Sequence, residues 1–232
     1  AALWQGRAEW RVVDVATLPL APISVSGQVV LDTLSARLHP RQACAALAAA
    51  LAARGVSIAA EGPDLGQVLW ATGAAGLEAL NANQTRQVGA GIKGQAALLA
   101  FDARDQPQVF AGGVHIVPHG DGTIAVGSTS EREFADPNTT DAQLDDVIAA
   151  ARAAVSALQG APVIERWAGL RPRARSRAPM LGAHPQANGQ FIANGGFKIG
   201  FGMAPKIAQV MADLILEGRA DIPPGFLPEA SL

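Results

Sequence analysis

The chain has 232 residues, 49% of them hydrophobic and 16% charged, which is enough apolar material for one large or two small globular domains with a real core. A formal net charge of −2 gives no bulk electrostatic drive toward nucleic acid, and no run of about 18 apolar residues is present to span a membrane. The single cysteine, Cys44, excludes an internal disulfide and fits a reducing, cytoplasmic compartment.

The N-terminus, Ala1-Ala2-Leu3-Trp4, lacks the basic and long apolar regions of a signal peptide. It starts mid-pattern without Met and is expected to belong to a fragment or processed chain. Trp10–Val15 and Gln28–Leu31 are expected strands. Pro40 stands at a first helical position, apolar Ala43, Leu47 and Leu51 follow, and Gly55 closes that helix. Val56-Ser57-Ile58 restarts as a strand, Glu61–Gln67 is a polar turn, and Val68-Leu69-Trp70 runs into the turn Ala71-Thr72-Gly73-Ala74-Ala75-Gly76. This helix-then-strand rhythm points to a parallel α/β layer.

The middle of the chain differs. Ala96–Phe101, Val109–Pro118 and Thr123–Ser128 are strand-like, with His119-Gly120-Asp121-Gly122 as a hairpin loop, so an antiparallel sheet is expected. Thr140 is positioned to cap a helix, with Gln143 completing a capping box, and the helix is expected to reach about Leu158. A last helix is expected to begin with Pro205 in its first turn, to bury Ile207, Val210, Met211 and Leu214, and to stop at Gly218. An irregular tail follows.

Two pieces of sequence carry the chemistry. Trp167-Ala168-Gly169-Leu170-Arg171-Pro172 sets an arginine in an expected proline-locked turn beside an aromatic. Asn194-Gly195-Gly196-Phe197-Lys198-Ile199-Gly200-Phe201-Gly202-Met203-Ala204-Pro205 is a glycine-rich approach to a helix N-terminus. Residues 168–212 hold no Asp or Glu, but they contain Arg171, Arg173, Arg175, Arg177, Lys198 and Lys206, which marks an anion site. The glycine run is not a P-loop, because no Gly-Lys-Ser/Thr ending is present.

In order, the Pro40 helix, Ala71-Thr72-Gly73, Lys93-Gly94-Gln95, His115-Ile116-Val117-Pro118, Val126-Gly127-Ser128-Thr129, Trp167–Pro172, Pro179-Met180-Leu181-Gly182 and the final glycine-rich segment resemble the FAD-dependent D-amino-acid oxidase family. Within it, the glycine oxidase and sarcosine oxidase branch is the most similar, and the likeness covers roughly residues 28–220. The resemblance implies α/β plus α+β architecture: the remainder of a FAD-binding Rossmann-like domain combined with an antiparallel-sheet substrate domain. Residues 28–85 and 165–220 would form the incomplete flavin part, 1–27 and 86–164 the substrate part, and 221–232 a tail. It further implies FAD as cofactor, a small carboxylated amine as substrate, and oxidative deamination by hydride transfer to flavin N5. Arg171 would hold the substrate carboxylate and His115 would line the substrate pocket. Ala71, Thr72, Gly73, Gly196, Phe197, Lys198, Ile199, Gly200, Phe201, Gly202 and Met203 would border the flavin.

The chain also departs from the family pattern. The Gly-x-Gly-x-x-Gly motif that cradles the pyrophosphate of FAD is not among these residues, which raises the expectation of a companion chain supplying that βαβ unit. Ser176 stands where the family carries an acidic residue, Lys198 where an arginine is common, and His115 where relatives carry tyrosine. A rival reading is a non-catalytic, split or degenerate scaffold that binds a carboxylate ligand or partner without flavin. Arg171 has a structural reading too, as a partner of a C-terminal carbonyl or of Glu165. Arg173, Arg175 and Arg177, spaced by two, are expected on one solvated face of an edge strand. Cys44 is expected to be buried and inert. Trp167 is expected to pack against the arginine segment. His115 and His119 share no helical face and have no third ligand near in sequence, so no metal site is expected.

Overall fold

In the computed structural model, residues 5–219 and 221–232 are described. The chain divides into two compact units. The first comprises 1–60, 95–129 and 139–168; the second comprises 61–94, 130–138 and 169–232.

The first unit begins with a hairpin of β1 (Trp10–Asp14) and β2 (Gln28–Asp32), paired antiparallel from Trp10↔Asp32 to Asp14↔Gln28. Its α1 (Pro40–Ala52) has Pro40 at the first position and His39 as N-cap. A five-stranded sheet has the order β5-β6-β7-β4-β8, built from β4 (Gly89–Ala100), β5 (Val109–Ala111), β6 (Val114–Pro118), β7 (Thr123–Gly127) and β8 (Val163–Ala174). Strands β4 and β8 each carry residues of both units.

The expected strand 109–118 is two strands. Gly112 and Gly113 both have positive φ, +59° and +80°, and make the two-residue turn that suits a right-twisted hairpin. Period-two alternation then sorts the sheet's side chains. Ala97, Leu99, Val114, Ile116, Ile124 and Val126 are buried on one face, where α3 (Ala142–Ala154) adds Leu144, Val147, Ile148 and Ala151.

Helix α3 is capped by Asp141, not Thr140. The Asp141 carboxylate accepts from the Gln143 N–H, and the helix stops at Ala154 before a 3-10 turn at 156–158. The choice of cap follows from Gln95, which is fully buried. Gln95 Nε2 donates to Asp141 Oδ1 (2.9 Å), and the Asp141 N–H donates to Gln95 Oε1 (2.8 Å). That reciprocal pair places Asp141 where the first orphan N–H groups of the helix need an acceptor.

The second unit holds a three-stranded sheet of order β3-β10-β9, from β3 (Leu69–Trp70), β9 (Met180–Ala183) and β10 (Phe191–Asn194). Strand β10 runs parallel to β3 and antiparallel to β9. A helix absent from the sequence expectation, α2 (Gly73–Asn81), follows β3 directly and buries Leu77 and Leu80 against Val88, Met180 and Ile192. Helix α4 (Gly200–Glu217) begins five residues earlier than expected, with Pro205 inside it, and ends at Gly218 in the left-handed region (φ 68°). It buries Val210 and Met211, while Ile207 and Leu214 are half-buried.

Other expectations are corrected. Val56-Ser57-Ile58 is not a strand, and Val56 and Ile58 are 47% and 64% exposed. Cys44 is exposed, because α1 buries none of its residues. Arg171 and Pro172 lie in the extended strand β8, not in a turn. Arg173, Arg175 and Arg177 do not share one strand face. Strand β8 ends at Ala174, Arg175 reaches the Ser231 and Leu232 carbonyls, and Arg177 has φ 71°.

Candidate functional site

The chemistry-bearing segments of the second unit converge at the carboxyl ends of its two parallel strands. Strand β3 ends at Trp70 and α2 starts at Gly73; β10 ends at Asn194 and α4 starts at Gly200. Side-by-side parallel strands, each followed by a helix, place two helix N-termini at one sheet end. Their partial positive charges and free N–H groups favour an anionic or electron-rich ligand there.

Asn194 fastens the two segments together. It is 7% exposed; its Nδ2 donates to the Gly73 carbonyl (2.9 Å) and its Oδ1 accepts from the Gly195 N–H (2.7 Å). Gly73 and Gly195 both have positive φ, +61° and +76°, and Phe197 is held at +44°. A β-carbon on Gly195 would stand 2.7 Å from Ala174 Cβ, so the close approach itself requires glycine. The glycine run is tied to the arginine strand as well. Gly196 bridges Arg173, and the Phe197 N–H donates to the Pro172 carbonyl at 2.9 Å. The Phe197 ring is flanked by Arg173 Cζ at 5.7 Å and Lys198 Nζ at 5.6 Å.

Ala71, Thr72 and Gly73 therefore occupy the first strand-to-helix junction. Gly196, Phe197, Lys198 and Ile199 form the second, and Gly200, Phe201, Gly202 and Met203 are the opening turn of α4. A β-carbon on Gly73, Gly200 or Gly202 would meet nothing within 4 Å, so their backbones face open space.

Arg171 stands beside Gly94. A β-carbon on Gly94 would overlap Nη1, Cζ and Nη2 of the guanidinium, so glycine there is what lets Arg171 lie against β4. Burial lowers the Arg171 pKa from the ordinary guanidinium value, and the Glu131 charge opposes that. Glu131 is itself buried and lies 3.6 Å from buried Lys93 Nζ, and Lys93 and Glu131 also exchange both backbone hydrogen bonds at 2.9 Å. Lys93, Glu131 and Arg171 carry one net positive charge in a largely desolvated place, which favours an incoming anion.

His115 belongs to the first unit. Its side chain is on the sheet face opposite α3 and is exposed, its ring 4.6 Å from that of Phe110. Glu165, the structural partner considered for Arg171, makes a two-pronged pair with Arg41, whose guanidinium carbon also lies 5.3 Å from the Trp167 ring. Asn194, Lys93 and Glu131 had no assigned role in the sequence. Lys93 was visible only through the Lys-Gly-Gln run, and a lone glutamate at 131 gives no pattern at all.

Against known proteins, residues 1–214 match the family described as FAD dependent oxidoreductase (DAO). The chain belongs to that family. It is 34% identical to a glycine oxidase from Pseudomonas putida over 143 residues, covering 61% of this chain and 39% of the relative. It is 31% identical to a glycine oxidase from Bacillus subtilis over 102 residues, covering 44% of this chain and 28% of the relative. The glycine oxidase structure from Geobacillus kaustophilus superposes with a TM-score of 0.60 at 25% identity, covering 69% of this chain and 44% of that one. Amadoriase I from Aspergillus fumigatus gives 0.72 at 13% identity over 96% of this chain and 64% of that one, which is a likeness of fold. The chain thus spans about two fifths of the length of the first of these glycine oxidases.

FAD is the cofactor of this family. The residues present are of the kind that fits one end of it: two helix N-termini, glycines with open space beside their backbones, and Lys198 would suit the electron-rich edge of an isoalloxazine. No helix among the described residues is long and apolar enough to cross a membrane.

Proposed function

We propose that the chain supplies the carboxylate clamp and the flavin's pyrimidine-edge wall of an FAD-dependent amine oxidoreductase acting on a small carboxylated amine. The observation that carries this reading is Arg171, half-buried against Gly94 beside the buried Lys93–Glu131 pair, and joined through Pro172–Phe197 to the glycine-rich junction. When bound, FAD supplies a two-electron acceptor that takes the α-hydrogen of the amine as hydride.

This chain's own residues bind and orient. Arg171 receives the substrate carboxylate through its guanidinium fork, which fixes the amino acid's direction. Glu131, already paired with Lys93, offsets part of the cationic charge and holds the site near a single net positive. Lys198 and the α4 N-terminus favour negative charge at the flavin edge, by about 0.3–2 kcal/mol for the helix dipole. Gly73 and Gly200 leave room for a flat ring system to approach backbone. An amine bound in its neutral form needs no strong general base, so no side chain is assigned that task. By the family resemblance His115 is also proposed to face the substrate, and a companion βαβ unit would supply the pyrophosphate cradle. A cytoplasmic site of action belongs to the same reading.

Addition of FAD tests it. Protein that retains flavin, with absorbance near about 450 nm after desalting, supports the reading. Protein that stays colourless, alone and with a nucleotide-binding companion, supports the flavin-free scaffold instead.

A further inference from the structure

The β6–β7 loop and the N-terminus of α1 bring together three groups that the flavin chemistry does not use. His39 Nε2 lies 3.4 Å from Asp121 Oδ2, and the rings of His39 and His119 are 4.2 Å apart between centroids. One donor atom from each of His39, His119 and Asp121 lies within 4.8 Å of the others. Among the described residues this is the one cluster of three or more such donors with metal-ligand spacing. We propose that His39, His119 and Asp121 form a binding site for a single divalent cation of the zinc type.

The supporting shell fits that use. Thr123 Oγ1 donates to Asp121 Oδ1 (2.7 Å), and the Thr123 N–H donates to the same oxygen (3.1 Å). One carboxylate oxygen is thus held, while Oδ2 faces His39 and accepts from Gln42 Nε2 at 3.4 Å. Since the Thr123 hydroxyl proton is given to Asp121, the hydroxyl accepts from His119 Nδ1 at 3.3 Å, which leaves His119 Nε2 with a lone pair. His119 is 5% exposed. Arg37 braces the segment by donating to the Pro118 and Arg104 carbonyls. His39 Nδ1 accepts only a 3.5 Å bond from the Gln42 N–H, so metal at Nε2 gives up little when the proton moves to Nδ1.

The spacing suits a tetrahedral ion. Bonds of about 2.0–2.1 Å set donors roughly 3.4 Å apart, the separation His39 and Asp121 already have, and a shift of at most about 1.4 Å brings in the third donor. Two imidazoles and one carboxylate are the ligand types that zinc and its first-row neighbours prefer. The site borders a cavity of about 280 Å³, lined by His39 and His119 with Leu38, Pro40, Val117 and Trp167, which leaves the fourth position open to water or a small ligand. Bound metal would clip the start of α1 to the hairpin loop.

The test needs neither flavin nor activity. Zinc chloride is titrated calorimetrically into metal-stripped protein in a Cys44→Ser background, which removes the exposed thiol as a competing ligand. One ion per chain is expected, with a rise in Tm on loading. Cobalt(II) substituted at the site should give the intense visible bands of a tetrahedral ion. His39→Asn keeps a good helix cap while removing the imidazole, so it should fold as well as the parent yet bind zinc at least about 10-fold more weakly. His119→Ala and Asp121→Asn should do the same, and His184→Asn should bind like the parent. No uptake, or uptake unchanged in His39→Asn, overturns the proposal.

Discussion

The guanidinium of Arg171 occupies the space that a side chain at position 94 would fill. The neighbours of Gly94's missing β-carbon are Nη1, Cζ and Nη2 of that one arginine, the far end of a flexible side chain and not backbone. Gly94→Ala should therefore fold with little change in Tm, because the arginine can move aside. In the flavin-loaded protein the same substitution should raise KM for a carboxylated amine by on the order of 10- to 100-fold, since a displaced clamp misorients the substrate. Steady-state kinetics alongside a thermal melt separates the two effects. A large drop in Tm with unchanged KM would make Gly94 a packing residue only.

Asn194 joins the two strand-to-helix junctions through Gly73 and Gly195. Asn194→Ala leaves a part-buried carbonyl and a buried N–H without these partners and should cost about 1–3 kcal/mol in urea unfolding. Gly195→Ala should cost a comparable amount by a different route, a strained left-handed backbone together with a clash against Ala174. Both should weaken flavin retention, measured by fluorescence titration, more than a surface change such as Lys206→Gln.

Gln95 and Asp141 should behave as a coupled pair. Gln95→Leu removes both side-chain bonds to the exposed Asp141 that position the start of α3, for an expected loss of about 0.5–1.5 kcal/mol. Hydrogen exchange should show the first turn of α3 opening. A double-mutant cycle with Asp141→Ala should be clearly non-additive.

His184 gives a pH dependence with a defined sign. Its Nδ1 accepts from the N–H groups of Gln186 (3.2 Å) and Ala187 (2.9 Å), and burial lowers its pKa below the ordinary 6.5. A histidine depressed in the folded state binds fewer protons there than when unfolded. Its cost is absent above about pH 6.5 and grows as the pH falls through that value. His184→Asn keeps a side-chain acceptor and cannot titrate. The variant should therefore lose less stability than the parent between pH 7 and pH 5.5, a difference readable by chemical denaturation at each pH. Parallel profiles would remove His184 from the account.

Much of this architecture was legible because period and punctuation agree. The antiparallel sheet, the loop at His119–Gly122 and the end of α4 at Gly218 all follow from alternation and glycine. Helix α2 was hidden because Gly73 and Gly76 weaken local helix propensity. Gly76 is there because a β-carbon would overlap Thr72 Oγ1 and approach Asn194 Nδ2 at 3.1 Å, while burial of Leu77 and Leu80 holds the helix. Cys44 misled for the opposite reason: an alanine-rich helix reads as core, yet α1 buries nothing. The arginine and glycine segments stood out by composition, whereas Asn194 and the Lys93–Glu131 pair depend on contacts between positions far apart in the chain.

The most direct measurement compares Arg171→Ala with the parent, in the flavin-loaded protein, on a carboxylated amine and on the matching amine without its carboxylate. Loss of a charge-assisted fork predicts a fall in kcat/KM on the order of 100-fold for the carboxylated substrate, carried mainly by KM, with little change for the other. Equal losses on both substrates, or none on either, would contradict a carboxylate clamp at Arg171.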